Sequence, residues 1–281
     1  MKLCKLCKKE EQLKLSHIFS RFIVMWLRET GTGKFRNPEL PNKREQDGPK
    51  EYLLCLKCEN LFGVRENYFR NVVFFPYLEK ECRFFKSTEE LNYFVVSILW
   101  RILVTEIEYL RQHKLYNKLV EAELLWRSYL YESSKLVKFN RFHILFTPNK
   151  QLEEYDTIPN FNRYITRDLD GTVVSNESTT FVYAKFSRFI LIGEIDNEIE
   201  FEPLFSGTQL IMDENISANH QSIIFIEFIE FLKNRVELGN RLYDSNLSTP
   251  QEKKIIESIN RQKRKIANSD YMRAIRKYIN N

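Results

Sequence analysis

The 281-residue sequence predicts an α+β fold: a small zinc-stabilised unit first, then a helical region and a small antiparallel β-sheet followed by C-terminal helices. Three observations predict it. Two Cys-x2-Cys knuckles, Cys4-Lys5-Leu6-Cys7 and Cys55-Leu56-Lys57-Cys58, together supply four thiolates, the ligand set of a closed tetrahedral zinc site. Apolar residues recur every three or four positions through residues 87–138. Runs rich in β-branched and aromatic residues fall within 141–212.

Residues 1–18 read as a knuckle followed by a strand, Leu15-Ser16-His17-Ile18. Residues 18–29 are amphipathic, with Phe19, Phe22, Ile23, Trp26 and Leu27 at helical spacing. Residues 30–48 are polar and carry Gly31, Gly33, Pro38, Pro41 and Gly48, which predicts a loop. Residues 51–54 form a short extended segment that leads into the second knuckle. A helix is expected from Glu59 to about Val73, with Leu61, Phe62, Tyr68 and Phe69 on its buried side. These elements make a zinc-binding domain over residues 1–78 and leave a mixed helical and sheet domain over 79–281.

In the second part, Ser87 or Thr88 caps a helix with Glu90 in its first turn. A further helix follows from about Leu115. Phe142-His143-Ile144-Leu145-Phe146 is a strand, stopped by Pro148. Asp168-Leu169-Asp170-Gly171-Thr172 has the Asp-Gly signature of a tight turn. Residues 181–186 and 189–193 read as strands with a bend at Ser187-Arg188, and helices return over 223–238 and 250–279.

Hydrophobic residues make up 43% of the chain and aromatics 14%, ample for a packed core, and no apolar run reaches the length of about 18 that a membrane span needs. No apolar leader precedes Cys4, so the chain is expected in the cytoplasm, where thiols stay reduced and a disulfide framework gives way to zinc. The fifth cysteine, Cys82, is expected to be a buried or idle thiol. Charge is unevenly spread. Residues 1–80 hold 16 Lys/Arg against 10 Asp/Glu, residues 251–281 hold 9 against 3, and the middle holds 18 against 25. Basic ends around an acidic middle suit a polyanion, because phosphate contact drives nucleic-acid affinity.

His17 is the single histidine of the first hundred residues. Its place on a strand between two knuckles marks it as a candidate general base, since hydrolysis of a phosphodiester needs a group that strips a proton from water. The order Cys-x2-Cys, strand histidine, Leu-Cys-x2-Cys opening a helix resembles the zinc-knuckled HNH endonucleases of the ββα-metal group. The resemblance covers about residues 1–75. Cys58-Glu59-Asn60-Leu61-Phe62 is also similar to the segment after the second knuckle in bacterial proteins that carry a Ser-His-Ile strand, some of them associated with phage-defence gene clusters.

The resemblance implies that His17 is the general base and that a catalytic Mg²⁺ or Mn²⁺ sits nearby. The family places an acid before the strand histidine, a histidine after the last knuckle cysteine and an asparagine shortly before the second knuckle. This sequence has Ser16, Glu59 and Lys50-Glu51 at those positions. Glu59 is then the ligand available to a divalent ion through oxygen. Asn42 and Asp47 join only if their loop folds back, and Glu66 and Asn67 lie farther along the same helix. His113, His143 and His220 have no ligand partner at the right spacing and read as structural.

The nucleic-acid-binding candidates are Arg21, Lys43 and Arg44 near the zinc unit, and Arg261, Lys263, Arg264 and Lys265 in the basic C-terminal segment. Two functions are expected from this set. One is an HNH-like nuclease, with DNA favoured over RNA as substrate and a role in anti-phage defence. The other is a catalytically inactive zinc module that binds nucleic acid or a partner protein of the same operon.

Overall fold

The computed structural model describes residues 2–37, 39–132, 141–147, 152, 155, 157–175, 179–197, 205–223 and 226–273. Strands β1 (Lys2–Leu3) and β2 (Glu10–Glu11) pair antiparallel and present the first knuckle in the turn between them. Lys8 takes a left-handed conformation at φ 55° to close that turn. Strand β3 (Leu13–His17) pairs antiparallel with β4 (Lys50–Cys55), placing Leu13 opposite Cys55 and His17 opposite Lys50. Helix α1 (Arg21–Glu29) follows β3, and Ile23, Val24, Trp26 and Leu27 form its buried stripe.

Helix α2 (Leu56–Phe69) begins three residues earlier than the apolar pattern predicts. The cause is local. Cys55 is extended and caps the helix, so the second knuckle runs directly into the first turn and Cys58 comes round beside Cys55. After α2 the chain passes through a π turn (Arg70–Phe74) into α3 (Phe75–Glu79), with Pro76 in the first turn, where its missing N–H is tolerated. The chain order here is β3-α1-β4-α2: the two strands pair as a hairpin whose long connection contains α1 and the polar loop, with the knuckles at one end of the pair and His17 at the other.

Helix α4 (Glu89–Glu106) is the centre of the molecule. It is capped by Thr88, whose hydroxyl accepts from the N–H of Leu91 at 3.3 Å, and its residues are buried from Leu91 to Val104. A helix apolar on all sides belongs inside. Its polar residues have partners there: Asn92 donates to the Ser87 hydroxyl at 2.9 Å, and Ser97 to the carbonyl of Phe94 at 2.8 Å. Helix α5 (Tyr116–Glu132) packs against it. A short two-stranded ladder links β5 (Phe84–Lys86) to β10 (Asn215–Ser217). The sequence shows no periodicity over these three-residue strands.

The four-stranded sheet is antiparallel in the order β6-β9-β8-β7, from β6 (Phe142–Phe146), β7 (Leu169–Ser175), β8 (Thr179–Phe186) and β9 (Phe189–Asn197). Ser187, at φ 49°, turns β8 into β9. Both faces are covered. Val182, Ala184 and Leu191 join the core that contains α4, while Phe181, Tyr183, Ile190 and Ile192 join one with Phe228, Leu232 and Val236 of α7 (Ile226–Asn246). That double burial explains the nearly unbroken hydrophobic run of β8.

Asp168-Leu169-Asp170-Gly171-Thr172 is not a turn. Asp170 pairs with Lys185 and Gly171 with Ala184 inside the β7–β8 ladder. The glycine serves packing: a Cβ at Gly171 would lie 2.6 Å from Cδ1 of Ile102, so only hydrogen lets the edge strand approach α4. Asp170 is held by Arg235 of α7 and by the Tyr164 hydroxyl at 2.6 Å, Tyr164 lying on α6 (Phe161–Arg167). The last helix, α8 (Thr249–Ile266), ends before the predicted boundary, and a separate helical turn starts at Asp270. The predicted helical residues 133–138 and 274–279 lie outside the described residues.

The core is continuous across position 78. One cluster runs from Cys4, Leu6 and Leu54 through Phe62 and Phe69 to Phe94, Trp100 and Phe186. Phe69 stacks on Phe94 with ring centres 3.9 Å apart.

Lys185 is fully enclosed in the sheet, its ammonium donating to the carbonyls of Asp168 at 3.0 Å and Ser187 at 2.7 Å. Burial draws its pKa from 10.5 down to about 7. Between those values the unfolded chain keeps a proton that the folded chain has released, so stability rises with pH across that window. Tyr164 and Tyr183, pushed above the phenol range by burial, oppose this only above about pH 10. Lys185→Met should flatten the rise and stabilise the fold at pH 7, read as urea midpoints at pH 7 and about pH 9. Unchanged pH dependence in the variant would refute the assignment.

Candidate metal centre

The two knuckles meet. The β1–β2 turn is fastened to β4 by the N–H of Lys5, which donates to the carbonyl of Leu53 at 2.9 Å, and the helix start brings Cys58 round to face it. The ligand atoms of Cys4, Cys7, Cys55 and Cys58 all lie within 4.8 Å of one another. The Cys7 and Cys55 sulfurs are 4.0 Å apart. Sulfurs sharing one zinc at about 2.3 Å sit roughly 3.8 Å apart, so the four cysteines can hold a metal ion such as zinc with almost no movement. Cys4, Cys55 and Cys58 are buried, and they belong to the same hydrophobic cluster as the fully buried Leu6 and Leu54.

The thiols are not equivalent: Cys4 is shifted toward the ligating thiolate, while Cys7 and Cys58 are shifted away from it, Cys7 chiefly by burial. Hydrogen bonding from Cys58, reinforced by backbone N–H groups, outweighs burial and draws the Cys4 thiol down to about 4. The same bond, with burial, pushes Cys58 far up. The pair shares a proton that an ion would displace. Cys82 lies apart from this cluster, its thiol donating to the carbonyl of Phe84 at 3.4 Å.

His17 stands at the loop end of the hairpin. The polar loop folds back so that Nε2 of His17 lies 2.8 Å from Oδ1 of Asp47, while Lys50 pairs with the other carboxylate oxygen. Burial raises Asp47, but hydrogen bonds from Lys50 and His17 prevail and hold it at about 2. An ionised Asp47 accepts, so Nε2 carries a ring proton in this pair. Asp47 joins His17 because the loop returns. Asn42 does not: its amide donates to the carbonyl of Asn246 at 2.7 Å and its oxygen accepts from Ser248.

Glu59 lies in the first turn of α2, and its Oε1 is buried without a hydrogen-bond partner. Glu66 is taken by Arg101 at 2.7 Å, and Asn67 is exposed. Ser16 is buried and accepts from the N–H of Leu54 at 3.3 Å, which ties it to the hairpin. Among the described residues, the four cysteines are the one group of three or more Cys, His, Asp or Glu ligand atoms so closely gathered.

The basic candidates come from opposite ends of the chain to neighbouring places. Lys43 and Arg44 sit in the loop that α8 clasps, through Gln262 donating to the carbonyl of Thr32 at 3.0 Å and through the Asn42–Ser248 pair. Arg21 is exposed at the start of α1, and Arg261 and Arg264 are exposed on α8, the helix that also carries Lys263 and Lys265.

The remaining histidines have local roles. His113 accepts from the N–H of Leu115 at 3.2 Å, and His220 lies with its ring 6.5 Å from that of Phe84. His143 is wholly buried, with Nδ1 2.9 Å from the Thr208 hydroxyl and Nε2 2.6 Å from Glu194. These partners lie on β9 and beyond, 51 and 65 residues away in sequence, too far for spacing to reveal.

No family model, curated protein or solved structure matches the chain. Among the described residues, no helix is long and apolar enough to cross a membrane.

Proposed function

We propose that the chain is an HNH-like metal-dependent nuclease that hydrolyses phosphodiester bonds, with DNA favoured over RNA. Zinc on Cys4, Cys7, Cys55 and Cys58 pins the ββα unit, and His17 takes the proton from the attacking water. The observation that carries this reading is the His17–Asp47 pair at 2.8 Å. A carboxylate on Nε2 would fix the tautomer of a neutral ring and leave Nδ1 as the atom that takes the proton, the arrangement a general base requires. Glu59, whose Oε1 is buried without a hydrogen-bond partner among the described residues, is the ligand the family resemblance offers to Mg²⁺ or Mn²⁺, an ion that would neutralise charge on the leaving oxygen; it stands at the knuckle end of the paired strands and would have to reach toward His17 at the other. Arg21, Lys43, Arg44 and the basic face of α8 would carry the duplex backbone. Defence against phage is the role that the family resemblance suggests for such an activity.

A second reading has its own support: the described residues gather one ligand cluster, and it is the sulfur site. A zinc-stabilised module without catalysis, binding nucleic acid or a partner protein of the same operon, fits that observation. Plasmid nicking with Mg²⁺ or Mn²⁺, beside a chelator control, separates the two. The nuclease reading expects cleavage that His17→Ala lowers by about 10²-fold or more, with zinc content and melting unchanged. Cleavage by His17→Ala at the parent rate removes His17 as the base. Salt-dependent DNA retention without any cleavage favours the module.

A further inference from the structure

A cavity of about 290 Å³ opens beside the loop end of the β3–β4 hairpin, between that hairpin, the C-terminal end of α4 and the edge strand β7. Its walls include Ile18, Phe19, Ile102 and Leu169, all apolar. Lys50, which faces His17 in the hairpin register, lines the mouth and ties the cavity to the His17–Asp47 pair. The volume is at the small end for organic ligands, matched to one flat ring system rather than an extended molecule.

The polar groups on the wall are mostly spent. Asp170 is saturated by Arg235 and by the Tyr164 hydroxyl. Lys50 is paired with Asp47, and the Thr105 hydroxyl donates to the carbonyls of Arg101 and Ile102. Two carboxylates differ. Glu51 is exposed, and its carboxylate has no hydrogen-bond partner among the described residues. Glu106 is held in place: its Oε2 accepts from the N–H of Val173 at 2.8 Å and from the Thr172 hydroxyl at 3.1 Å. Its Oε1 has no hydrogen-bond partner among the described residues, and the residue lines the cavity.

We propose that this cavity is a nucleobase pocket that selects bases carrying an exocyclic amino group, with the Glu106 carboxylate reading that amine. The proposal rests on the nucleic-acid reading above and names the part of the substrate held next to His17. Apolar walls take the ring faces. A carboxylate oxygen with a free acceptor site matches the amino group of cytosine, as acidic side chains do when they read that base. A keto oxygen in the same position, as in uracil, would face a like partial charge and be rejected.

The test is calorimetric titration of the intact chain with cytidine and with uridine, without divalent ion. Cytidine is expected to bind about tenfold or more tightly than uridine, the scale of a hydrogen bond to a charged group. Glu106→Gln should reverse the order: its amide oxygen keeps the bonds to Val173 and Thr172 and turns the NH₂ toward the cavity, where it donates to the keto oxygen. Equal affinity for the two nucleosides, or binding of neither, overturns the proposal, and so does an unchanged order in a folded Glu106→Gln. If the variant does not fold by circular dichroism, the parent comparison decides alone. Neither titration requires cleavage. A chain that never nicks DNA yet prefers cytidine loses the nuclease reading and keeps the pocket, and a chain that nicks DNA but binds both nucleosides alike does the reverse.

Discussion

Replacing Cys58 by Ser is expected to empty the sulfur site of metal and to destabilise the fold as a whole, because the zinc unit shares its core with the rest of the chain. A structural zinc contributes on the order of 10 kcal/mol of binding free energy to the fold that forms it. Here the ligands join the β1–β2 turn to the start of α2, and few other contacts hold that turn: β1 and β2 share two residue pairs. The expected result is zinc content at background by elemental analysis, and a melting midpoint lowered by at least the equivalent of about 3 kcal/mol. Excess chelator should act on the parent in the same direction. Cys82→Ser serves as the control and should change neither quantity by much, because Cys82 lies outside the four-sulfur cluster and the hydrogen bond its thiol donates to the carbonyl of Phe84 is one that a serine hydroxyl can also make. A Cys58→Ser protein that retains one zinc and the parent midpoint would refute the four-cysteine site.

Phe69→Ala is expected to cost about 3–5 kcal/mol, the range for removing a buried aromatic ring. Phe69 is fully buried where α2, α4 and the sheet converge. It stacks on Phe94 at 3.9 Å and meets Phe189 edge-on at 5.4 Å and Phe186 at 6.1 Å. No neighbouring element is free to collapse into the gap, so the cavity term adds to the lost burial. Phe69→Leu should cost much less, since most of the volume remains. Urea unfolding followed by far-UV circular dichroism and by zinc release provides the check. Coincident shifts of both probes mean that the zinc unit and the sheet unfold together, as a core shared across position 78 predicts. A shift below about 1 kcal/mol would show that Phe69 is not at the junction.

The elements legible in the sequence are those with a local signature. The two knuckles predicted a four-sulfur site because ligand identity and spacing are properties of short segments, and the sulfurs do converge. Helices α1, α4 and α5 follow their apolar spacing, and Thr88 caps α4. The Asp-Gly pair misled because the same dipeptide that suits a tight turn also lets β7 lie against Ile102, and nothing local separates the two uses. The candidate site was half legible. His17 stands out by position, but its partner Asp47 depends on the return of a long loop, and Glu106 depends on the packing of α4 against β7. Contacts of this kind leave no periodic trace.

The clasp between the polar loop and α8 has a consequence for how the molecule comes into being. Asn42 is secured by Ser248 and Thr32 by Gln262, partners 206 and 230 positions downstream. During synthesis from the N-terminus, the four cysteines and the paired strands are made early, whereas the loop carrying Asp47 gains these partners only once α8 has been made. The arm beside His17 is therefore tied down by residues synthesised long after the four sulfurs that could gather round a metal ion.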